Sequence, residues 1–83
     1  MQTIYVGDKA PIKYATAVAM EFEKGNNEIC IKARGKAIST AVDASQISIN
    51  KFVKDAKIKE IRIFTEEIEN KYISAIEILL SKE

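Results

Sequence analysis

Eighty-three residues with 47% hydrophobic and 30% charged side chains, three glycines and one proline make one small globular domain, here taken as residues 1–83. No histidine is present, one cysteine stands alone and no glycine-rich phosphate loop occurs, which removes the commonest general base, a zinc-type ligand cluster and nucleotide-loop chemistry. An enzyme is not expected, nor a cofactor. The net charge of +1 is unevenly spread: Met1 to Lys54 holds eight basic and five acidic residues, while Asp55 to Glu83 holds five basic and seven acidic ones. A polyanion responds to such clustering at close range more than to the total.

Thr3-Ile4-Tyr5-Val6 reads as a short strand of β-branched and aromatic residues, closed by Gly7-Asp8. Pro11 suits the first turn of a helix that runs to Lys24 and stops at Gly25-Asn26, with Tyr14, Ala17, Val18 and Phe22 as its buried stripe. Glu28 to Ala33 reads as a second strand with Ile29 and Ile31 on one face and Cys30 on the other; Cys30 is expected to be buried as a small hydrophobe. After the basic turn Arg34-Gly35-Lys36, a second helix is expected from Ala37 to about Lys54, carrying Ile38, Ala41, Val42, Ile49, Phe52 and Val53 on one broad face. Ile47 falls off that stripe, which points to burial against a second subunit. Lys57 to Thr65 alternates as a strand, with Ile61 and Ile63 opposite Ile58 and Phe64. Glu66 to Lys71 reads as an acidic connection, and Tyr72 to Leu80 as the last strand of an antiparallel hairpin. The order βαβαββ implies an α/β two-layer sandwich: a mixed four-stranded sheet with both helices on one face.

The segment Ile31 to Ser39 carries the functional signal. Lys32, Arg34 and Lys36 alternate across a strand end, so extended geometry would place them on one side. Gly35 permits close backbone approach, and the following helix would offer its first N–H groups to an anion. On spacing alone, the same cations also serve as a solvated edge that discourages aggregation. No aromatic residue lies between Lys32 and Lys36, which disfavours a base-stacking reader of single strands relative to a binder of the phosphate backbone.

VGDKAPIKY, EICIKARGKAISTAVD, NKF and IKEIRI, in this order over most of the chain, resemble the signature of the Alba family, small archaeal chromatin-associated proteins that bind DNA and RNA. The resemblance implies a homodimer, without catalytic activity, that contacts double-stranded DNA and/or RNA. Lys32, Arg34 and Lys36 match the family's central cations, Lys9 the second of two lysines after the first strand, and Asn50 and Lys51 polar and basic positions late in the second helix. Phe52 matches an aromatic through which dimers associate along DNA; a plain core or subunit-interface role suits it equally. Tyr14 matches a helix tyrosine read as packing.

Three departures stand out. Asp8 replaces the first lysine of the pair, whose acetylation is a family switch. Ile49 replaces a common arginine. Glu66-Glu67-Ile68-Glu69 replaces a basic arm with what reads as a shortened acidic loop. These changes imply weaker binding than in typical relatives, and a regulatory role rather than bulk packaging. The alternative is a protein-assembly subunit on the same fold that has largely lost nucleic-acid binding. No uncharged stretch approaches the roughly 20 apolar residues of a membrane span. The amino end lacks the pattern of a signal peptide, and the lone cysteine suits a reducing compartment, so a cytoplasmic, chromosome-associated protein is expected.

Overall fold

A computed structural model describes residues 1–82. The elements are β1 (Gln2–Tyr5), α1 (Pro11–Glu23), β2 (Glu28–Arg34), α2 (Ile38–Ile47), β3 (Ala56–Ile68) and β4 (Lys71–Lys82). A single 3-10 turn, Gly35–Ala37, precedes α2, and a π-type turn, Ser48–Phe52, extends it. The sheet order is β1-β2-β4-β3; β1 and β2 pair in parallel, and the other neighbours are antiparallel. This is the βαβαββ sandwich expected from the sequence, with both helices on one face of a mixed four-stranded sheet.

The core lies between that face and the helices. Ile29 and Ile31 on β2 meet Ile78 and Leu80 on β4, all essentially buried, beneath Val18 and Phe22 of α1 and Ala41 of α2. Each large side chain contributes about 1.5–3 kcal/mol on burial. Ala15, Ala41, Ala44, Ser45 and Ser48 are also buried; side chains this small let the two helices approach each other and the sheet. The hydroxyls need no distant partner, because Ser45 donates to the Val42 carbonyl at 2.7 Å and Ser48 to the Ala44 carbonyl at 2.8 Å. Such back-bonding disturbs regular helix. The helix widens at this point, and the Val53 N–H reaches the Ser48 carbonyl at 2.7 Å. The single long helix expected from Ala37 to Lys54 is therefore three successive pieces, and Val42 and Phe52, expected on its buried face, are exposed.

Two further expectations change. A bulge between Ile58 and Glu60 shifts the alternation of β3, so Ile58 pairs with Leu80 and lies on the helix side together with Ile61 and Ile63, leaving Phe64 on the other face. Glu66 to Lys71 is not a loop: β3 and β4 continue as a ladder to the Ile68–Lys71 pair, and only Glu69 and Asn70 turn, at φ 49° and 66°. Asn tolerates this left-handed conformation well, and two such residues in succession match the right-handed twist of a hairpin. The result is a long two-stranded arm.

Cys30 is buried and free, as expected of a small hydrophobe, but it lies on the sheet face away from the helices, between Thr3 and Leu79. Burial pushes its thiol above the ordinary value of 9.0, with the Glu77 carboxylate adding to the shift.

Candidate nucleic-acid interface

Parallel pairing of β1 and β2 sends both strands toward the same end of the sheet. The loop after β1, the turn after β2 and the base of the arm therefore emerge together. Val6 donates to the Lys32 carbonyl at 2.8 Å, fixing the start of the first loop. Within that loop the Gly7 and Lys9 N–H groups both donate to the Tyr14 phenolic oxygen, at 2.9 and 3.1 Å. Tyr14 thus holds the backbone of the segment that carries Lys9, a role beyond the packing expected from its helix position.

Lys32 and Arg34 alternate on β2 and share the sheet face away from the helices. Lys36 does not continue the row. β2 ends at Arg34, and Gly35 takes φ +59°, a backbone geometry that glycine adopts at no steric cost. A Cβ at Gly35 would lie 3.5 Å from the Ile73 side chain, so the turn sits against the base of the arm. The expected straight ridge of three cations is therefore two cations on a sheet face and a third on the adjoining turn.

Carboxylates face both sheet cations. Lys32 Nζ lies 3.3 Å from Glu77 Oε2, and Arg62 Nη1 lies 3.3 Å from Glu77 Oε1, so one carboxylate bridges two cations. Hydrogen bonding to Glu77 pushes the Lys32 ammonium above its ordinary range. Arg34 Nη1 approaches Glu66 Oε1 at 3.4 Å across the root of the arm. Among the described residues, Lys9 and Lys36 are exposed and form no ion pair.

Asn50 and Lys51 lie elsewhere. They occupy the π-type turn, separated from Lys36 by a helical segment of about 22 Å at 1.5 Å per residue. Lys51 and the exposed Phe52 line a groove with Met20, Phe22 and Asp55 at the opposite end of the molecule. Ile47 is half-buried. The chain thus carries Lys9, Lys32, Arg34 and Lys36 at one end and Asn50, Lys51 and Phe52 at the other.

Sequence reasoning missed three groups. Glu66 and Glu77 find their cations only through cross-strand register. Tyr5 stands beside Lys32 across the β1–β2 pair, and Phe64 reaches the Arg34 row through Ala75, so aromatic side chains do flank the cations although none lies in the segment itself. Ile61 and Ile63 are on the helix side of β3, yet 52% and 79% exposed, because α2 packs on β2 and β4 and leaves this edge strand uncovered. Their alternation placed them on one face of the strand without saying whether that face is covered. Among the described residues, no cluster of carboxylate or thiol groups could hold a metal ion, and no helix is long and apolar enough to cross a membrane.

The sequence profile of the Alba family matches residues 2–65. The chain belongs to the Alba family. It is 43% identical to DNA/RNA-binding protein Alba 1 of Archaeoglobus fulgidus, an alignment covering 96% of this chain and 94% of that protein. With DNA/RNA-binding protein Alba of Thermoplasma volcanium it shares 46% identity over 95% of this chain and 93% of the other. The solved structure of Alba from Thermoplasma volcanium superposes with a TM-score of 0.91, covering 98% of this chain and 100% of that one. An Alba protein of Trypanosoma brucei, 20% identical, shares the fold at a TM-score of 0.85, covering 98% of this chain and 68% of that one. The cations at one end of the sheet are therefore set on an Alba scaffold.

Proposed function

We propose that this Alba-family chain is a dimeric, non-catalytic protein that binds double-stranded DNA and/or RNA through the phosphate backbone. The observation that carries this reading is the convergence of Lys9, Lys32, Arg34 and Lys36 at one end of the sheet, on a chain over 40% identical to proteins named for DNA and RNA binding. Lys9 and Lys36 supply exposed ammonium groups that form no ion pair among the described residues. Arg34 supplies a planar fork suited to two phosphate oxygens. The 3-10 turn starts without a side-chain cap, and it continues directly into α2, whose first N–H, that of Ile38, is already taken by the Gly35 carbonyl; anion contact from the backbone is therefore confined to the start of the turn. Such contacts set position and carry little sequence information.

The dimer is supported by Ile61 and Ile63, two large apolar side chains left uncovered on an 83-residue protein whose single-chain core is small. We place the subunit interface along the helix side of β3 with the exposed Val42 and the half-buried Ile47 of α2 as its neighbours. Asn50 and Lys51 extend the binding surface at the other end, and Phe52 offers a dimer-to-dimer contact. Asp8 beside Lys9, together with Glu66, Glu67 and Glu69 on the arm, weakens attraction to phosphate, which suits a regulatory, chromosome-associated role better than bulk packaging.

The pairing of Lys32 and Arg34 with carboxylates favours one rival: an assembly subunit with little residual nucleic-acid binding. Titrating salt against binding to duplex DNA and structured RNA separates the two. Micromolar or tighter binding near 50 mM salt that weakens steeply as salt rises supports the proposal; no binding near 50 mM salt supports the rival.

A further inference from the structure

The sheet face away from the helices is not covered by any element among the described residues, and its chemistry fits a particular occupant. A groove of about 370 Å³ crosses it, lined by Tyr5, Lys32, Arg34, Phe64, Glu66 and Glu77 among others. Register places the two aromatic rings on opposite edge strands: Tyr5 pairs with Lys32, which pairs with Glu77, while Phe64 pairs with Ala75, which pairs with Arg34. Three strand spacings separate the edges, about 14 Å at 4.8 Å each. Tyr5 is 74% exposed, a large ring held on a strand with no apolar cover. Arg62 lies over the Phe64 ring, its guanidinium carbon 5.9 Å from the ring centre, so that edge carries a planar cation set against a flat π surface.

The charges on this face are layered. In each ion pair the cation is the more exposed partner: the Arg62 side chain is 63% exposed and Lys32 38%, against 19% for the Glu77 they share. Arg34 likewise stands out from Glu66. A chain approaching from solvent meets cationic tips first, over a Glu77 carboxylate flanked by two cations and a Glu66 carboxylate paired with one. Flat aromatic rings at the margins with cations between them suit a flexible polyanion that carries its own flat rings. A duplex, whose bases are stacked inside, has no rings to offer.

We propose that this groove binds single-stranded nucleic acid, with bases stacked on Tyr5 and Phe64 and the intervening phosphates held by Lys32, Arg34 and Arg62. The proposal rests on the reading that this protein binds nucleic acid at all, and adds a second substrate class and a second mode of contact. Stacking is sequence-tolerant, because every base has a π face, so little base preference is expected.

Fluorescence anisotropy with a labelled oligothymidylate of about 20 nucleotides, beside a duplex of the same length, tests it on the full chain. Tyr5→Ala and Phe64→Ala should each weaken single-strand binding about five-fold or more, and duplex binding less than about two-fold. Tyr5→Phe should retain single-strand affinity, since it keeps the ring. Tyr5 is too exposed for its truncation to cost much stability, and circular dichroism checks that each variant is folded. Equal losses on both polymers, or no loss on the single strand, would overturn the stacking site while leaving duplex binding standing. A changed oligomeric state of Tyr5→Ala in light scattering, with single-strand affinity intact, would instead make this face a protein interface. Wild-type protein that binds neither polymer would overturn the function proposed above along with this site.

Discussion

Tyr14 carries a phenolic oxygen that accepts two backbone N–H groups from the loop holding Lys9. Both donors are exposed, so water replaces the phenol when it is removed, and the net loss lies at the low end for a hydrogen bond. Tyr14→Phe should lower the free energy of unfolding by about 0.5–1 kcal/mol, seen as a lower urea midpoint at unchanged slope. An unchanged midpoint would mean that the loop is held by something else. Cys30 and Lys32 speak to pH. Burial raises the Cys30 thiol, so the unfolded chain ionises first, and stability is lost as pH rises above the ordinary thiol range near 9.0. Lys32, raised by its bond to Glu77, contributes below its ordinary range, and that contribution is lost at still higher pH. With no histidine to titrate, thermal unfolding should vary little between about pH 6 and 8 and fall on the alkaline side. A marked decline inside that neutral window would contradict both assignments.

The arm is where the structure departs most from what its residues convey. Glu66-Glu67-Ile68-Glu69-Asn70-Lys71 offers few strand formers, and composition alone reads as a connection. The ladder continues because each residue gains a cross-strand partner and because Asn70 accepts positive φ, a pairing effect invisible to local propensity. The first helix was legible for the opposite reason. Pro11, the alanine-rich stripe and Gly25 are local signals, and α1 runs from Pro11 to Glu23 as they indicate. In the candidate surface, the cations were visible from their spacing, but their carboxylate partners were not. Glu66 faces Arg34, Glu67 pairs with Tyr72 on the other side of the arm, and Glu69 sits in the turn, so the three acids are not equivalent. An exposed pair such as Arg34–Glu66 is worth about 0–1 kcal/mol, low enough for phosphate to displace. Glu66→Gln should therefore raise duplex affinity by up to about five-fold at low salt, more than Glu67→Gln does. Equal effects from the two would mean that only the arm's total charge matters.

At the scale of the whole molecule, the proposed binding surface is built from two copies of the chain. Light scattering at micromolar concentration should give about twice the 9.3 kDa chain mass. Ile63→Asp, at a residue 79% exposed in one chain, should leave the single chain folded but shift it to monomer, because an aspartate would carry an uncompensated charge into the proposed subunit contact. A dimer that survives this change would place the interface elsewhere. The central claim is that the cations at one end of the sheet hold phosphate, Arg34 foremost. The slope of log affinity against log salt for duplex DNA, compared between wild type, Arg34→Ala and Lys13→Ala, tests it most directly. Each lost phosphate contact removes about 0.9 from the slope. Arg34→Ala should flatten it by about two units in a dimer, while Lys13→Ala, on the exposed side of α1, should leave it unchanged. Equal slopes in all three proteins would contradict the account.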